Sequence, residues 1–417
     1  MSAPLVPSLF GACYILTGWI IWIIDQILYA IGFVIPPIND PLHALGGWLA
    51  SPAVLTVITW LVVALVMTIW AVLLNLLTMM WVERKTYSRL QDRYGIMISI
   101  WSLPLWPFNR RKDRPTHKGW GYLQNVADGM KLLQKENLVP ASADSMMFNV
   151  APAWIAGTTL MVFAALPWSS GLYVANLDLG ILFILAAFSL APLGILIAGW
   201  SANNKYTLVG GLRSAAMLMA YEIPLVLVVI ALVFTTSTLD PKVLVAQQQQ
   251  PLVINGIVTP LPAWNLFGPQ VLGFVIFMVA IVAEMERIPF DLPEADAELV
   301  EGWTTELSGM RFGLVFGFKW LRMIAGAGLI SILYLGGWSG PVFYTFYIGS
   351  VPIPIIPEEV WFMLRIYLLG IFFVLLSWAV PRVRIDQILN IGWKRLIPFA
   401  LLAIVIAAAW QMLFNMG

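Results

Sequence analysis

The sequence predicts an all-α polytopic membrane protein, and two observations carry that reading: the oiliness of the chain and the confinement of its charge to a few loops. Of 417 residues, 60% are apolar and only 11% charged, whereas soluble domains carry about 25% charged residues. Mean hydropathy is +0.85. A helix crossing the hydrocarbon core needs about 20 apolar residues, and eight stretches qualify: roughly 53–82, 149–168, 179–199, 214–234, 266–283, 312–338, 360–380 and 396–414. A ninth, about 10–35, is interrupted by Asp25 and closed by Pro36 and Pro37, so it either crosses the membrane or lies along its surface. The chain divides into an N-terminal extension, 1–52, and a membrane domain, 53–417.

The charges fix a topology. Of the 23 Lys and Arg residues, 19 fall in four alternate loops, 83–148, 200–213, 284–311 and 381–395, while the opposite loops hold only Lys242. The positive-inside rule puts the basic loops in the cytoplasm. Residues 1–52 contain no Lys or Arg, so a cleavable signal with a basic leading region is not expected. The opposite face offers a short loop at 171–178, a Gln run at Gln247–Gln250 that reads as flexible filler, and a Pro-rich loop at 339–357. Chemistry is therefore expected at the basic face.

Several function classes find no support. One cysteine, Cys13, makes neither a disulfide nor an all-cysteine metal or iron–sulfur site within this chain. His43 and His117 are too distant in sequence to suggest a metal pair. No phosphate loop, dinucleotide fingerprint or nucleophile elbow occurs, and nothing in a net charge of +1 points to nucleic acid. Redox chemistry would be supplied by partners.

The polar constellations lie on the basic face. From Glu83, VERKTYSRLQDRY spaces Val82, Thr86, Leu90 and Tyr94 at intervals of four, which predicts a helix in the headgroup plane, as an anchor or something more specific. A second helical stretch follows in LQNVADGMKLLQKENLVPASAD. In GWSANNKYTLVGGLRSAAMLMAYEIP, Glu222 stands inside an apolar run just before Pro224. It suits either a proton carrier or half of a structural pair with a neighbouring Arg.

The most informative segment is EMERIPFDLPEADAELVEGWTTELSGMR, residues 284–311, which holds eight of the 22 acids. Ionisable groups at membrane depth cost roughly 2.5 kcal/mol or more each, so they persist where they face a wet cavity, a partner or a proton path. Pro289 and Pro293 exclude a continuous helix through Glu284–Glu294. Beyond Pro293, helical spacing would bring Glu294, Glu298 and Glu301 onto one face, where such carboxylates share protons and titrate as a set. The alternative is a solvated acidic loop for a basic partner. Further on, Lys319 and Arg322 share a helix face and repel. Lys319 is expected to turn inward onto a carboxylate of the acidic segment or onto Glu222, with Arg322 snorkelling or paired elsewhere.

VERKTYSRLQDRYG, LQNVADGMKLLQKENLVPASAD, GWSANNKYTLVGGLRSAAMLMAYEIP, AEMERIPFDLPEADAELVEGWTTELSGMRFG and PRVRIDQILNIGWKRLIP stand in the order and spacing of a known family. From about residue 55 to 415 the chain resembles the H subunit of proton-pumping NADH:quinone oxidoreductase, respiratory complex I. The resemblance implies a membrane subunit without a redox centre of its own, lining a chamber for the substrate quinone. Flavin and iron–sulfur clusters would sit on partner subunits, and other membrane and peripheral subunits, with lipid, would surround it. Arg84, Arg93, Arg287, Phe290 and Asp291 resemble residues of the quinone entrance and chamber. Arg213, Glu222, Glu284, Glu294, Asp296, Glu298 and Glu306 resemble a hydrophilic proton path, to which the charge of Lys319 is added. The setting implied is a bacterial plasma membrane.

The chain departs from the family in a Trp- and Pro-containing basic insert at 96–118, in Asp296 for a common Glu, and in Lys319, where many members carry a Glu. Two other readings remain open: the membrane subunit of a related energy-converting hydrogenase, and a structural anchor for a peripheral redox module.

Overall fold

A computed structural model describes residues 75–93, 95–96, 121–254, 257–293, 296–340, 345–348, 351–354 and 358–415. The ninth hydrophobic stretch, most of the first span, both histidines, Cys13 and nearly all of the 96–118 insert lie outside the described residues. Those described are overwhelmingly helical. The first helix, α1 (Asn75–Leu90), precedes α2 (Gln124–Gln134), α3 (Ser145–Ala165), α4 (Gly180–Ser189) and α5 (Ala191–Ser201). The long α6 (Lys205–Thr236) and short α7 (Pro241–Gln248) lead to an antiparallel hairpin, β1 (Pro251–Ile254) with β2 (Ile257–Pro262). Then come α8 (Val271–Glu284), the single turn α9 (Asp296–Leu299), α10 (Gly309–Tyr334), a second hairpin of β3 (Thr345–Ile348) with β4 (Val351–Pro354), α11 (Glu358–Ala379), α12 (Ile385–Asn390) and α13 (Ile397–Asn415).

Among the described residues, six helical stretches are long and apolar enough to cross a membrane: α3, α4 with α5, α6, α10, α11, and α12 through α13. The protein is an integral membrane protein. Of the eight spans expected, the stretch 266–283 is shortened. Gly268 and Pro269 interrupt it, a 3₁₀ turn at Asn265–Phe267 takes its start, and α8 retains 14 residues. At about 1.5 Å per residue, α8 is about 21 Å long, short of a core about 30 Å thick. The apolar run 180–201 is likewise two helices that meet at Leu190, next to Pro192, whose missing N–H cannot continue a regular ladder.

The Gln run is not filler. Gln248 is buried, donates to the Ile332 carbonyl at 2.8 Å and accepts the Gly336 N–H at 2.9 Å. It thereby closes the end of α10, where Gly336 and Gly337 adopt φ of +76° and +53°.

Two helices organise the core. α10 is flanked by α3, α11, α1 and α2, while α6 packs against α5, α8 and α13; α8 touches both. Small residues permit the closest approaches. A Cβ on Gly210 of α6 would lie 2.6 Å from the Trp303 nitrogen, and one on Gly199 would lie 2.6 Å from the Thr207 carbonyl. Pro224 does not break α6. It deprives the Ala220 carbonyl of its helical donor, and Gly392 packs against that oxygen from a π-turn, Ile391–Leu396, where a Cβ would be 3.1 Å away. Tyr221 of α6 donates to the Ile388 carbonyl of α12 at 3.0 Å.

The basic segment from Glu83 does not form a separate surface helix. α1 continues through it without a Pro or Gly to turn the chain. The buried positions are Asn75, Met79, Met80, Glu83 and Ser88, while Leu90 is 52% exposed. The apolar spacing of Val82, Thr86 and Leu90 was therefore outweighed by the partner that awaits Glu83. Because Gly210 seats the acidic segment directly on α6, Gly210→Ala is expected to destabilise the protein by about 1–3 kcal/mol, the usual cost of overpacking. Thermal unfolding in mild detergent would show a lowered midpoint; an unchanged midpoint would mean that the loop yields without cost.

Candidate functional site

The acidic segment opens where the sequence requires. α8 ends at Glu284, Glu286 turns the chain with φ of +51°, and residues up to Pro293 run as loop. The expected helix beyond Pro293 is only the turn of α9, because Val300 and Gly302 take φ of +67° and +60°. Glu298 and Glu301 consequently do not share a helix face. Glu294 lies outside the described residues, and of Asp296 only the backbone is described.

What converges instead is a set of alternating charges between α1, α6, α8 and α10. Arg322 of α10 is 2% exposed and donates to Glu284 at 3.0 Å, with a second nitrogen 4.0 Å from Glu286. Lys319, one turn earlier, lies 3.8 Å from the same Glu286 oxygen, and its ammonium is 5.9 Å from the Trp303 ring centre. Ser214 of α6 donates to the other Glu286 oxygen. Arg287 contacts both oxygens of Glu83 at 2.8 Å and stacks its guanidinium 4.0 Å over Trp320. The inward turn of Lys319 is thus realised. Arg322 does not snorkel, because two carboxylates at the end of α8 meet it at depth.

The other candidates surround this cluster. Phe290 is buried against Tyr221, ring centres 5.1 Å apart. Asp291 is 3.4 Å from Arg382. Burial pushes its carboxyl above the ordinary range and Glu286 adds to the rise, while Lys319, Arg382 and Arg287 oppose it. Glu222 lies half-buried on α6. Further out, Arg213 pairs with Glu298 at 2.7 Å and Asn204 donates to Glu306 at 2.7 Å. Arg84 pairs with Asp128 of α2, and Arg93 lies exposed beyond the end of α1. Arg213, Glu298, Glu306, Arg84 and Arg93 therefore stand apart from the buried cluster.

Residues 62–408 match the family model described as NADH dehydrogenase. The chain belongs to the NADH dehydrogenase subunit 1 family of respiratory complex I. It is thereby a membrane subunit of an oxidoreductase complex, with other subunits of that complex as partners. Among the described residues of this complex I subunit, no three His, Cys, Asp or Glu side chains converge to hold a metal ion. An apolar cavity of about 450 Å³, lined by residues such as Leu185, Val229, Phe234 and Gln411, lies between α4, α6 and α13, away from the charged cluster.

Sequence reasoning missed Glu83 and Glu286. Charge parity was the available signal for Glu286: two cations one turn apart in an apolar helix require two anions, and Glu284 alone supplies one. Breaking a buried pair by removing one partner costs about 3–5 kcal/mol, since the remaining charge is stranded. Arg322→Met is therefore expected to abolish or strongly reduce assembly of the complex, and Glu284→Gln in addition to restore part of it. Native gel yield measures both; equal yields of single and double variants would show that the two side chains do not depend on one another.

Proposed function

We propose that this subunit forms part of the quinone-binding chamber of complex I and links quinone reduction to proton translocation through its buried charges. The observation that supports this reading is the cluster of Glu83, Glu284 and Glu286 with Arg287, Lys319 and Arg322, buried where α8 ends beside α10, with Phe290, Trp303 and Trp320 also buried. A purely stabilising core would be better served by apolar residues, since buried ion pairs seldom repay their desolvation.

In this reading Phe290, Arg287 and Asp291 border the chamber, with Arg84 and Arg93 towards its mouth. Arg213, Glu222, Glu284, Glu294, Asp296, Glu298, Glu306 and Lys319 belong to the path that carries protonation onward. Arginine does not release its proton, so Arg287 and Arg322 act as fixed charges and the carboxylates and Lys319 as exchangeable sites. A unit charge arriving about 8 Å away is worth about 2 kcal/mol at an effective dielectric of 20, more than one pKa unit. Reduction of a quinone at that range would therefore redistribute protons among the carboxylates.

The basic loops would face the cytoplasm of a bacterium by the positive-inside rule. Leu133, Leu138 and Met146, each more than 60% exposed at the charged end, would be covered by a peripheral partner that carries the flavin and iron–sulfur clusters. Asp291→Asn or Glu294→Gln is expected to lower quinone-dependent turnover, coupled pumping or both, several-fold, while the complex still assembles. Turnover and pumping at the original rates in assembled variants would exclude both roles for these positions.

A further inference from the structure

Glu286 has a place in the cluster that neither its neighbours nor the surrounding pairs explain. Its side chain is 1% exposed. One oxygen accepts from Ser214, and the other makes no hydrogen bond although it lies between two cations, Lys319 at 3.8 Å and Arg322 at 4.0 Å. The backbone pays for this placement with a left-handed φ of +51° at a residue with a side chain.

The arrangement orders the whole cluster. Without Glu286, both cations of α10 would compete for Glu284. With it, Arg322 keeps its hydrogen bond to Glu284, and Lys319 is drawn to Glu286 at 3.8 Å, from where its charge favours the ionised form of Asp291. Charges then alternate from the loop into the membrane: Asp291, Lys319, Glu286, Arg322, Glu284. We propose that Glu286 is a positioning residue shared between Lys319 and Arg322, which ties the charge state of the Asp291 loop to that of Glu284 in the membrane. The proposal rests on the proton-coupling reading of the site.

The groups facing the pair supply a signed test. Glu286 meets Ser214 from α6, Lys319 and Arg322 from α10, and Glu284 from α8; Asp291 meets Lys319, Arg382, Arg287 and Glu286. Glu286 raises the titration of Asp291 and Lys319 lowers it. In the assembled complex reconstituted in vesicles, Glu286→Gln is therefore expected to move the pH profile of quinone-dependent pumping to lower pH. Lys319→Met is expected to move it to higher pH. The double variant should lie between them, and Glu286→Asp, which keeps the charge, should keep the original profile. If Glu286→Gln does not assemble, Lys319→Met reads the same coupling from the cation side.

Shifts of the same sign, or profiles that stay in place while Asp291→Asn still lowers turnover, would overturn the role of Glu286 and leave the function of the site standing. If Asp291→Asn also leaves turnover and pumping unchanged, the proton-coupling reading itself falls.

Discussion

The neutralisation of Arg322 is the constraint on which the rest of this structure depends. A guanidinium that cannot lose its proton and is 2% exposed in a membrane helix must be met by anions. Glu284 and Glu286 meet it, and to do so α8 must end level with the middle of α10 and the chain must turn at Glu286. That requirement fits the end of α8 at Glu284 and the loop that follows it against α6, where Gly210 and Gly302 allow backbone to approach backbone. A second clamp, Glu83 with Arg287 over Trp320, fastens α1 to the same loop and to α10.

The clamps also confine the mobile charge. Fixed guanidinium groups hold carboxylates in a dry interior, so a change in charge nearby is felt at several sites instead of being screened by water. In the proposed coupling, structural and transductive roles therefore fall on the same residues. Those further out, such as Arg213 with Glu298, are exposed enough for solvent to weaken their coupling.

Much of this was legible in the sequence because membrane solvation imposes strong rules. Apolar length located most helices, and the prolines placed the loop after Glu284. The inward direction of Lys319 followed from the cost of an unpaired ammonium. Glu83 was not legible, since it is defined by a partner remote in sequence: Arg287 lies 204 residues away; Glu286 was legible only through charge parity with Lys319 and Arg322. The helix expected from Glu83 is part of α1, which the described residues follow from Asn75, and its inward face holds Glu83 in a buried ion pair with Arg287. The buried role of Gln248 also escaped, because a Gln run looks alike whether it is solvated or closes the end of a neighbouring helix.

The central claim is that buried carboxylates of this subunit change protonation when quinone is reduced. Infrared difference spectroscopy on the assembled complex, recorded between oxidised and reduced quinone, reads protonated carboxyl groups directly. The account predicts a carboxyl signal that appears on reduction and is diminished in Asp291→Asn; a difference spectrum without carboxyl bands, or one identical in the variant, would contradict it.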